Sequence, residues 1–404
     1  MYSIDFLKEA SYIKQEIIEN RRYFHKYPEI GFEEFNTSKK IVQYLNDLGI
    51  ENKIVCSTGI VGIIRGNGDG PVVALRSDLD ALPICDRKNV EYSSQINGKM
   101  HACGHDGHMA ILMGAIKILN KHRDKFKGIV KIIFEPAEET VGGAKFMIKE
   151  NVLENPKVNA IIGLHVSELL EVGTVGVNYD VVNAASNPFK IIVKGKGGHG
   201  AHPEDSIDPI VASCNLVTML QNIVSREISP HNPSVITVGK FCGGTAPNII
   251  PEEVVLEGII RTLNKEDRAY VINRLKEICN GISVSMKVSI DVEIIDGYPC
   301  LFNDSNVVSI SEKVFEKILG KENVIKNISP SMGVESFAYF SEKVPSMFYF
   351  LGTRNSKTGI VHPAHGSLFD LDEDGLVIGA ALQSALAVNY LNNNWFRRNY
   401  EARD

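Results

Sequence analysis

Residues 72–80, VVALRSDLD, give the clearest indication of the fold. Four apolar residues are followed there by a polar segment with one Arg and two Asp. Three other short apolar runs have a similar form, at residues 60–64, 129–134 and 160–164. Apolar runs of this length, most of them bounded by Gly, Pro or a charged residue, predict buried strands. Because segments of helical periodicity separate them, the sequence predicts an α/β fold: a mostly parallel sheet with helices on both faces.

Apolar residues recur at helical spacing in segments around and between these strands. The predicted helices span residues 6–27, 37–48, 109–122, 143–150, 306–318 and 372–392. One more strand is predicted at residues 347–351. The α/β pattern therefore occupies both the first and the last part of the sequence.

A different pattern occupies the middle of the chain. The predicted order there is strand 189–194, helix 208–225, strand 234–241, strand 254–262, helix 265–283 and strand 288–294. This βαββαβ order is that of a ferredoxin-like domain. We therefore expect a small domain at residues 184–298, inserted between the two parts of a larger α/β domain, residues 1–183 and 299–404.

Composition argues against several classes of protein. A chain of 404 residues exceeds one ordinary hydrophobic core, which favours two domains. The net charge of −6 argues against binding to nucleic acid, and no stretch approaches the ~20 apolar residues that cross a bilayer. The seven cysteines are scattered, and the first residues lack the pattern of a signal peptide, so we expect a cytoplasmic protein.

Side chains that bind metals cluster where predicted strands end. The segments concerned are RSDLD (76–80), HACGHDGH (101–108), EPAEE (135–139), His165 and HPAH (362–365). In open α/β sheets, ligands bind at the carboxyl ends of the strands, so these segments are expected to converge on one crevice. Cys, His and carboxylate ligands together favour Zn²⁺, Mn²⁺, Co²⁺ or Ni²⁺ over Mg²⁺ and Ca²⁺.

The run at 101–108 contains three His and one Cys within eight residues. A single His is usually structural, but this density favours a metal site. Cys103 and His105 are two residues apart, a spacing with which a loop can present both side chains to one point. A Cys nucleophile with a His base is the alternative, but it leaves His165, Glu138 and Glu139 without a role.

Adjacent carboxylates at Glu138 and Glu139 repel one another unless a positive charge is near, and a metal ion supplies that charge. Neighbouring side chains point in different directions. One Glu can therefore bind the metal while the other takes a proton from an activated water and later delivers it to a leaving amine.

Six motifs of this sequence match motifs of one protein family, in the same order and over nearly the whole chain. They are RSDLDALP (76–83), MHACGHDGH (100–108), EPAEE (135–139), GKGGHGA (195–201), NIIP (248–251) and MGVE (332–335). Over nearly its whole length the chain resembles the metallopeptidase family of aminoacylases, hippurate hydrolase, N-acetyl-diaminopimelate deacetylase and auxin-conjugate amidohydrolases. The similarity is to the branch with Cys in the metal site.

The resemblance implies a catalytic domain with an inserted ferredoxin-like lid, and a site for two divalent metal ions. The implied ligands are Cys103, His105, Glu139, His165 and His365, with Cys103 as the bridge. Glu138 would be the general base and then the acid. Asp78 would orient a ligand.

In the lid, the resemblance implies that His199 stabilises the oxyanion, in dimeric relatives from the partner subunit. Asn248 and Arg261 would bind the carboxylate or backbone of the substrate. The implied reaction is hydrolysis of the amide bond of N-acyl amino acids or related small amides, by a homodimer or homotetramer formed through the lid. A dipeptidase or carboxypeptidase on the same scaffold is the alternative, and a non-catalytic binding protein of this fold is a third possibility.

Some positions depart from the family. The wider family has His in place of Arg76, but the Cys-containing branch shares the Arg. Ser336 replaces an Asp of many relatives and is given no role. Spacing to the following residues favours His365 over His362 as the last ligand. His202 lies where relatives have a different pattern and is expected to be exposed.

Overall fold

The computed structural model describes residues 4–393, and within them the chain divides into two compact units. The larger unit contains the residues up to Asp180, Phe302–Ser329 and the residues from Ser336 onward. The smaller unit contains Val181–Leu301 and Pro330–Glu335. The roles of catalytic domain and lid that we predict for two such segments stay predictions.

An eight-stranded sheet forms the centre of the larger unit. Its strands are β1 (Glu51–Val55), β2 (Gly59–Arg65), β3 (Val72–Asp78), β4 (Ile129–Glu135), β5 (Ala160–Glu171), β6 (Val175–Val177), β15 (Val324–Lys326) and β16 (Ser346–Arg354). Their order is β1-β2-β4-β3-β5-β16-β6-β15. The central pairs β4–β3, β3–β5 and β5–β16 are parallel, as is β6–β15, whereas β1–β2, β2–β4 and β16–β6 are antiparallel. The predicted α/β fold with a mostly parallel sheet is confirmed.

Burial explains which strands of the large sheet were predictable from the sequence. β3 is buried at every residue, which explains why its sequence is a continuous apolar run before the charged end. The strands β1, β6 and β15 were not predicted. β1 is an exposed edge strand and β6 and β15 have three residues each, so none carries a long apolar run.

Helices cover the sheet. Those of the larger unit are α1 (Phe6–Tyr12), α2 (Lys14–Lys26), α3 (Phe35–Asp47), α4 (His105–Lys121), α5 (Glu138–Val141), α6 (Gly143–Lys149), α9 (Ser305–Leu319), α10 (Phe337–Ser341) and α11 (Asp374–Asn392). The prediction of one helix at 6–27 was wrong, because the backbone of Ile13 leaves the helical region and separates α1 from α2. α4 begins four residues before its predicted start, so His105 lies in its first turn.

Close packing between α2, α4 and α11 depends on a glycine. A Cβ at Gly114 would lie 2.9 Å from Cδ1 of Ile17 and 3.1 Å from Cβ of Ala380, so only Gly lets the three helices approach this closely. By length and apolar composition α11 could span a membrane, but most of it is buried inside the unit. Its apolar character is therefore explained by its place in the core.

The smaller unit has the predicted βαββαβ order. Its main elements are β8 (Ala185–Lys194), α7 (Pro209–Asn222), β10 (Ser234–Gly243), β12 (Glu253–Thr262), α8 (Lys265–Met286) and β13 (Ser289–Ile294). The four strands form an antiparallel sheet in the order β10-β12-β8-β13, and their apolar residues share a core with α7 and α8. The short strands are β7 (Val181–Asn183), β9 (Gly198–His199), β11 (Ile249–Ile250) and β14 (Leu301–Phe302).

Candidate metal centre

The carboxyl ends of β3, β4 and β5 meet, as the parallel order predicts, because these strands are neighbours in the sheet. β3 ends at Asp78, β4 ends at Glu135, and His165 lies on β5. His165 was predicted to follow the strand, but β5 continues to Glu171, so the His side chain projects from within it.

Cys103 lies at the centre of a cluster of metal-binding side chains. Its Sγ is 3.4 Å from Nε2 of His165 and 3.3 Å from Nε2 of His365. Oε1 of Glu139 lies 3.3 Å from Nε2 of His365 and 3.9 Å from Nε2 of His105. The structure thus brings together the five side chains that the sequence singled out as ligands, and Cys103 belongs to two of the groups of potential ligand atoms they form.

The cluster fits divalent metal ions, because two of its buried potential ligand atoms have no hydrogen-bond partner in the part of the chain that the structure describes. Nε2 of His105 and Oε1 of Glu139 are buried and lack a hydrogen-bond partner among the described residues. The Nδ1–H group of His105 donates to the Asp80 carbonyl at 2.8 Å, and that of His165 donates to the Val166 carbonyl at 2.6 Å. In the neutral form of either ring the lone pair is therefore on Nε2, the atom that faces the cluster.

The pKa values of Glu139 and Cys103 also indicate a site for cations. Burial raises the pKa of Glu139, but His365 and His105 outweigh this effect and lower the pKa to about 2, so the carboxylate is ionised. Burial, together with nearby Glu139, raises the pKa of the Cys103 thiol well above its usual range. A thiolate at this position therefore requires a cation beside it.

The two outer His residues of the run 101–108 differ from His105. His108 uses both ring nitrogens: Nδ1 donates to Asp78 at 2.7 Å, and Nε2 accepts from the Val166 backbone N–H at 2.9 Å. Burial lowers the pKa of His108 to about 4, so the ring is neutral. His108 therefore supports the loop and has no nitrogen left for a metal. His101 is buried, and neither of its nitrogens has a hydrogen-bond partner among the described residues.

The backbone is left-handed at three positions within or next to the ligand segments, two of which carry a Cβ and are therefore strained. Gly104, Ala137 and His365 have positive φ angles of 93°, 53° and 61°. A Cβ at Gly104 would lie 2.3 Å from Cγ2 of Val166, so a larger residue does not fit between Cys103 and α4. Such strain persists only where surrounding contacts hold the chain, and it concentrates at functional sites.

Glu138 is buried at the start of α5, next to the cluster, and its Oε1 accepts a hydrogen bond from the Ser336 backbone N–H at 2.8 Å. The backbone N–H groups of Glu138 and Glu139 donate to Oδ1 and Oδ2 of Asp80, at 3.0 Å and 2.9 Å. The sequence did not assign roles to Asp80 or Ser336. The only signals were the place of Asp80 in RSDLDALP and the departure of Ser336 from the family pattern.

Arg76 joins two buried carboxylates. Its Nε donates to Glu135 at 2.7 Å, and its Nη1 donates to Asp78 at 2.8 Å. Burial raises the pKa of Asp78, but His105, His108 and Arg76 hold it well below the usual range. The hydrogen bonds of Asp78 go to His108 and Arg76, whereas Nδ1 of His105 bonds to Asp80. The role of Asp78 in orienting a metal ligand stays a prediction, and for His105 it is the Asp80 carbonyl that accepts the Nδ1–H group.

A buried Arg anchors the segment that follows His365. Arg21 donates to Asp106 at 2.7 Å and to Asp370 at 2.7 Å, and its side chain is fully buried. Glu373 binds the neighbouring Arg22 at 2.6 Å. These ion pairs connect α2 to the start of α4 and to the loop after His365. Sequence reasoning missed them, because an Arg pair in an amphipathic helix predicts an exposed face.

In the smaller unit, His199 on β9 pairs with Ile249 on β11, and His199 and Asn248 line one pocket of about 760 Å³. Nδ1 of His199 accepts a hydrogen bond from the Ala201 N–H at 3.1 Å, so a neutral ring carries its proton on Nε2. Arg261 lies on β12, half-buried, and donates to the Met332 carbonyl at 3.4 Å. His202 is exposed.

The model of the peptidase family M20/M25/M40 matches residues 74–389, which include every element of the cluster. The chain belongs to this family. The family membership predicted from the six motifs is confirmed.

Relatives within the family include "Thermostable carboxypeptidase 2" of Saccharolobus solfataricus, 38% identical over 94% of this chain and 96% of that protein. "IAA-amino acid hydrolase ILR1-like 2" of Arabidopsis thaliana is 39% identical over 93% and 85% of the two chains. "N-acetylcysteine deacetylase" of Bacillus subtilis is 37% identical over 92% and 96%.

Two solved structures share the fold of this M20 protein. A crystal structure from methicillin-resistant Staphylococcus aureus has a TM-score of 0.92 and 33% identity, covering 96% of this chain and 99% of that one. The Bacillus subtilis YXEP protein, described as a dinuclear metal binding peptidase of the M20 family, has a TM-score of 0.83 and 34% identity, covering 94% and 99%. Together with the Cys103 cluster, these findings identify the chain as a metal-dependent amidohydrolase, as predicted.

Proposed function

We propose that this M20 enzyme hydrolyses the amide bond that joins an acyl group to the nitrogen of an amino acid. The observation that carries the proposal is the buried Glu138 carboxylate beside the Cys103 cluster. The names of two relatives, an IAA-amino acid hydrolase and an N-acetylcysteine deacetylase, both describe bonds of this kind. A small N-acyl amino acid is therefore the substrate that we expect.

Five side chains would hold two divalent ions, Zn²⁺, Mn²⁺, Co²⁺ or Ni²⁺: Cys103, His105, Glu139, His165 and His365. Cys103 is the natural bridge, because its thiolate carries a full charge and more than one lone pair. When bound, two such ions supply Lewis-acid activation of water and of the amide carbonyl. His365 rather than His362 is proposed, since it is His365 that approaches Cys103 and Glu139.

Glu138 would move the proton in the reaction. Its carboxylate takes a proton from the attacking water and returns it to the nitrogen of the leaving amino acid, as a general base and then an acid. The hydrogen bond from the Ser336 N–H holds one carboxylate oxygen in place. Glu138 is itself buried, which limits the access of bulk water to its carboxylate.

Three residues of the smaller unit would act on the substrate. His199 offers its Nε2–H group to the developing oxyanion, and Arg261 pairs with the free carboxylate of the amino acid, since a planar guanidinium binds a carboxylate through two hydrogen bonds. Asn248, which shares a pocket with His199, would bind the substrate backbone. In a homodimer or homotetramer assembled through this unit, His199 would serve the partner subunit.

A carboxypeptidase is the second candidate, because relatives from Saccharolobus solfataricus carry that name. Both activities release an amino acid with a free carboxylate, so they share the proposed role of Arg261. The cytoplasm remains the proposed location, in keeping with the scattered positions of the seven cysteines in the sequence.

A matched substrate series separates the candidates. It consists of N-acetyl-, N-benzoyl- and glycyl-derivatives of one amino acid, together with the N-acetyl derivative whose carboxylate is blocked as an amide. We expect the first two to be hydrolysed, and the blocked compound to be a poor substrate. Preference for the glycyl derivative and longer peptides would favour the carboxypeptidase. No hydrolysis of any member by the metal-loaded enzyme would overturn the proposal.

A further inference from the structure

We propose that Asp80 is a positioning residue for the reaction, one that places the base Glu138 and the ligand Glu139 relative to His105 without touching the substrate. This inference rests on the proposed function, which assigns those three side chains their roles. Asp80 itself was given no role by the sequence motifs.

The contacts of Asp80 reach all three residues. Oδ1 accepts the Glu138 N–H at 3.0 Å, and Oδ2 accepts the Glu139 N–H at 2.9 Å. The Asp80 carbonyl accepts the Nδ1–H of His105 at 2.8 Å. Asp80 is buried and lies two residues beyond the end of β3, a strand inside the sheet. One buried residue, directly after a central strand, therefore holds the backbone of both glutamates and fixes the ring of His105.

The backbone conformation of the turn before Glu138 requires contacts that stabilise it. Ala137 is left-handed, with φ 53° and ψ 41°, a conformation that residues with a Cβ rarely adopt. It persists only where surrounding contacts over-determine it. The N–H of Ala137 donates to buried Glu34 at 2.8 Å, so three consecutive backbone N–H groups are held by two buried carboxylates.

A carboxylate is the side chain that this geometry requires. Two adjacent buried N–H donors each need an acceptor, and both oxygens of a carboxylate accept. The amide of Asn has the same shape but only one oxygen, so its NH₂ group would face one of the two backbone N–H donors. Substitution of Asp80 by Asn therefore shifts the start of α5, while the carbonyl contact to His105 survives in every variant.

The test compares Asp80→Asn and Asp80→Glu with wild type. Asp304→Ala is the control for a purely structural loss, because Oδ1 of Asp304 also accepts two backbone N–H groups, those of Asn306 and Val307, at the start of α9, and Ala removes this acceptor. For each variant, kcat and KM are measured on an N-acetyl amino acid. Binding of Mn²⁺ or Zn²⁺ to the metal-free protein is measured by calorimetry, and unfolding is followed by circular dichroism.

We expect Asp80→Asn to lower kcat and metal affinity by about 10- to 100-fold, the range typical of residues that orient metal ligands, with KM nearly unchanged. Asp80→Glu keeps two acceptor oxygens and should recover part of the loss. Asp304→Ala should lower stability, because it removes the acceptor at the start of α9, but leave kcat and metal affinity at the wild-type level.

A purely structural role gives a different result. If Asp80→Asn lowers only the unfolding temperature, as the control does, the inference is overturned. If Asp80→Asn does not fold, Asp80→Glu decides, and wild-type kcat and metal affinity in that variant overturn the inference. If wild type itself hydrolyses no N-acyl amino acid, the proposed function fails instead, and metal binding still tests the placement of Glu139 and His105.

Discussion

Ser336 donates its backbone N–H to Oε1 of Glu138 at 2.8 Å, across a separation of 198 residues in the sequence. The hydroxyl of Ser336 bonds to Glu135, whose other carboxylate oxygen binds Arg76. The proposed base is therefore held by a main-chain donor that is itself fixed by a buried polar network. Substitution by proline, which has no backbone N–H, can test the contribution of this donor. Ser336 permits the change, because its φ of −64° is an angle that proline also adopts.

Ser336→Pro removes the N–H donor, whereas Ser336→Ala removes only the hydroxyl. Because a hydrogen bond to a charged group contributes about 1.5–3 kcal/mol, we expect Ser336→Pro to lower kcat by about tenfold or more relative to Ser336→Ala. Steady-state kinetics on an N-acetyl amino acid measures the ratio. Equal kcat values in the two folded variants would show that the main-chain bond does not matter.

Glu138→Gln should bind metal but lose turnover. The change keeps the shape of the side chain and removes its capacity to accept a proton, so we expect kcat to fall about 10²- to 10⁴-fold. Elemental analysis should find the wild-type metal content. Glu139→Gln is the control and should lose metal as well as activity. Near-wild-type turnover by Glu138→Gln would refute its assignment as the base.

Cys103→Ser should lower the number of bound ions per subunit, because the alcohol of Ser does not ionise as a thiol does and cannot bridge two cations as readily. A chelator should abolish wild-type activity, and Mn²⁺, Co²⁺ or Zn²⁺ should restore it. Elemental analysis after gel filtration measures the stoichiometry. Two ions per subunit in Cys103→Ser would argue against Cys103 as the bridge.

His199→Gln should lower kcat by about 10²- to 10³-fold, the effect of removing one oxyanion donor, with no change in metal content. His202→Gln is the matched control, because His202 lies three residues away in the same segment and is exposed. We expect it to keep wild-type kinetics. If His199→Gln changes only KM, the residue binds substrate and does not stabilise the oxyanion.

Arg21→Met should destabilise the fold by about 3–5 kcal/mol, because it leaves the buried Asp106 and partly buried Asp370 without their cation. Lys14→Met removes an exposed ion pair with Asp374 and should cost about 1 kcal/mol or less. Urea unfolding measures both. A loss in Arg21→Met no larger than that of the control would show that the buried ion pairs contribute little to stability.

The ion pair between Arg21 and Asp370 should also make the stability of the protein depend on pH. Burial raises the pKa of Asp370, but Arg21 and Lys88 outweigh it and lower the pKa below its ordinary value. The unfolded state therefore binds more protons below about pH 4, and this contribution to the free energy of unfolding is lost as the pH falls through the folded pKa. In Arg21→Met we expect a shallower loss with acid, measured by urea unfolding at a series of pH values.

The fold class and the five side chains of the Cys103 cluster were predictable from local sequence patterns. Buried strands such as Val72–Asp78 have continuous apolar runs, because both faces of a parallel sheet are covered. Helices are indicated by apolar residues that recur at helical spacing. The clustered Cys, His and Glu residues stand out because those side chains are seldom grouped without a metal. Their roles as ligands stay predictions, but the structure brings all five together around Cys103.

The residues that hold those side chains in place became identifiable only in the folded chain. Asp80 binds the backbone of residues 138 and 139, Ser336 binds Glu138, and Arg21 binds Asp370. Each of these contacts joins segments that are 58 or more residues apart. Local periodicity and composition carry no information about which distant segments meet. A hydrogen bond is decided by that meeting, because it requires a donor and an acceptor within about 3 Å in the folded chain.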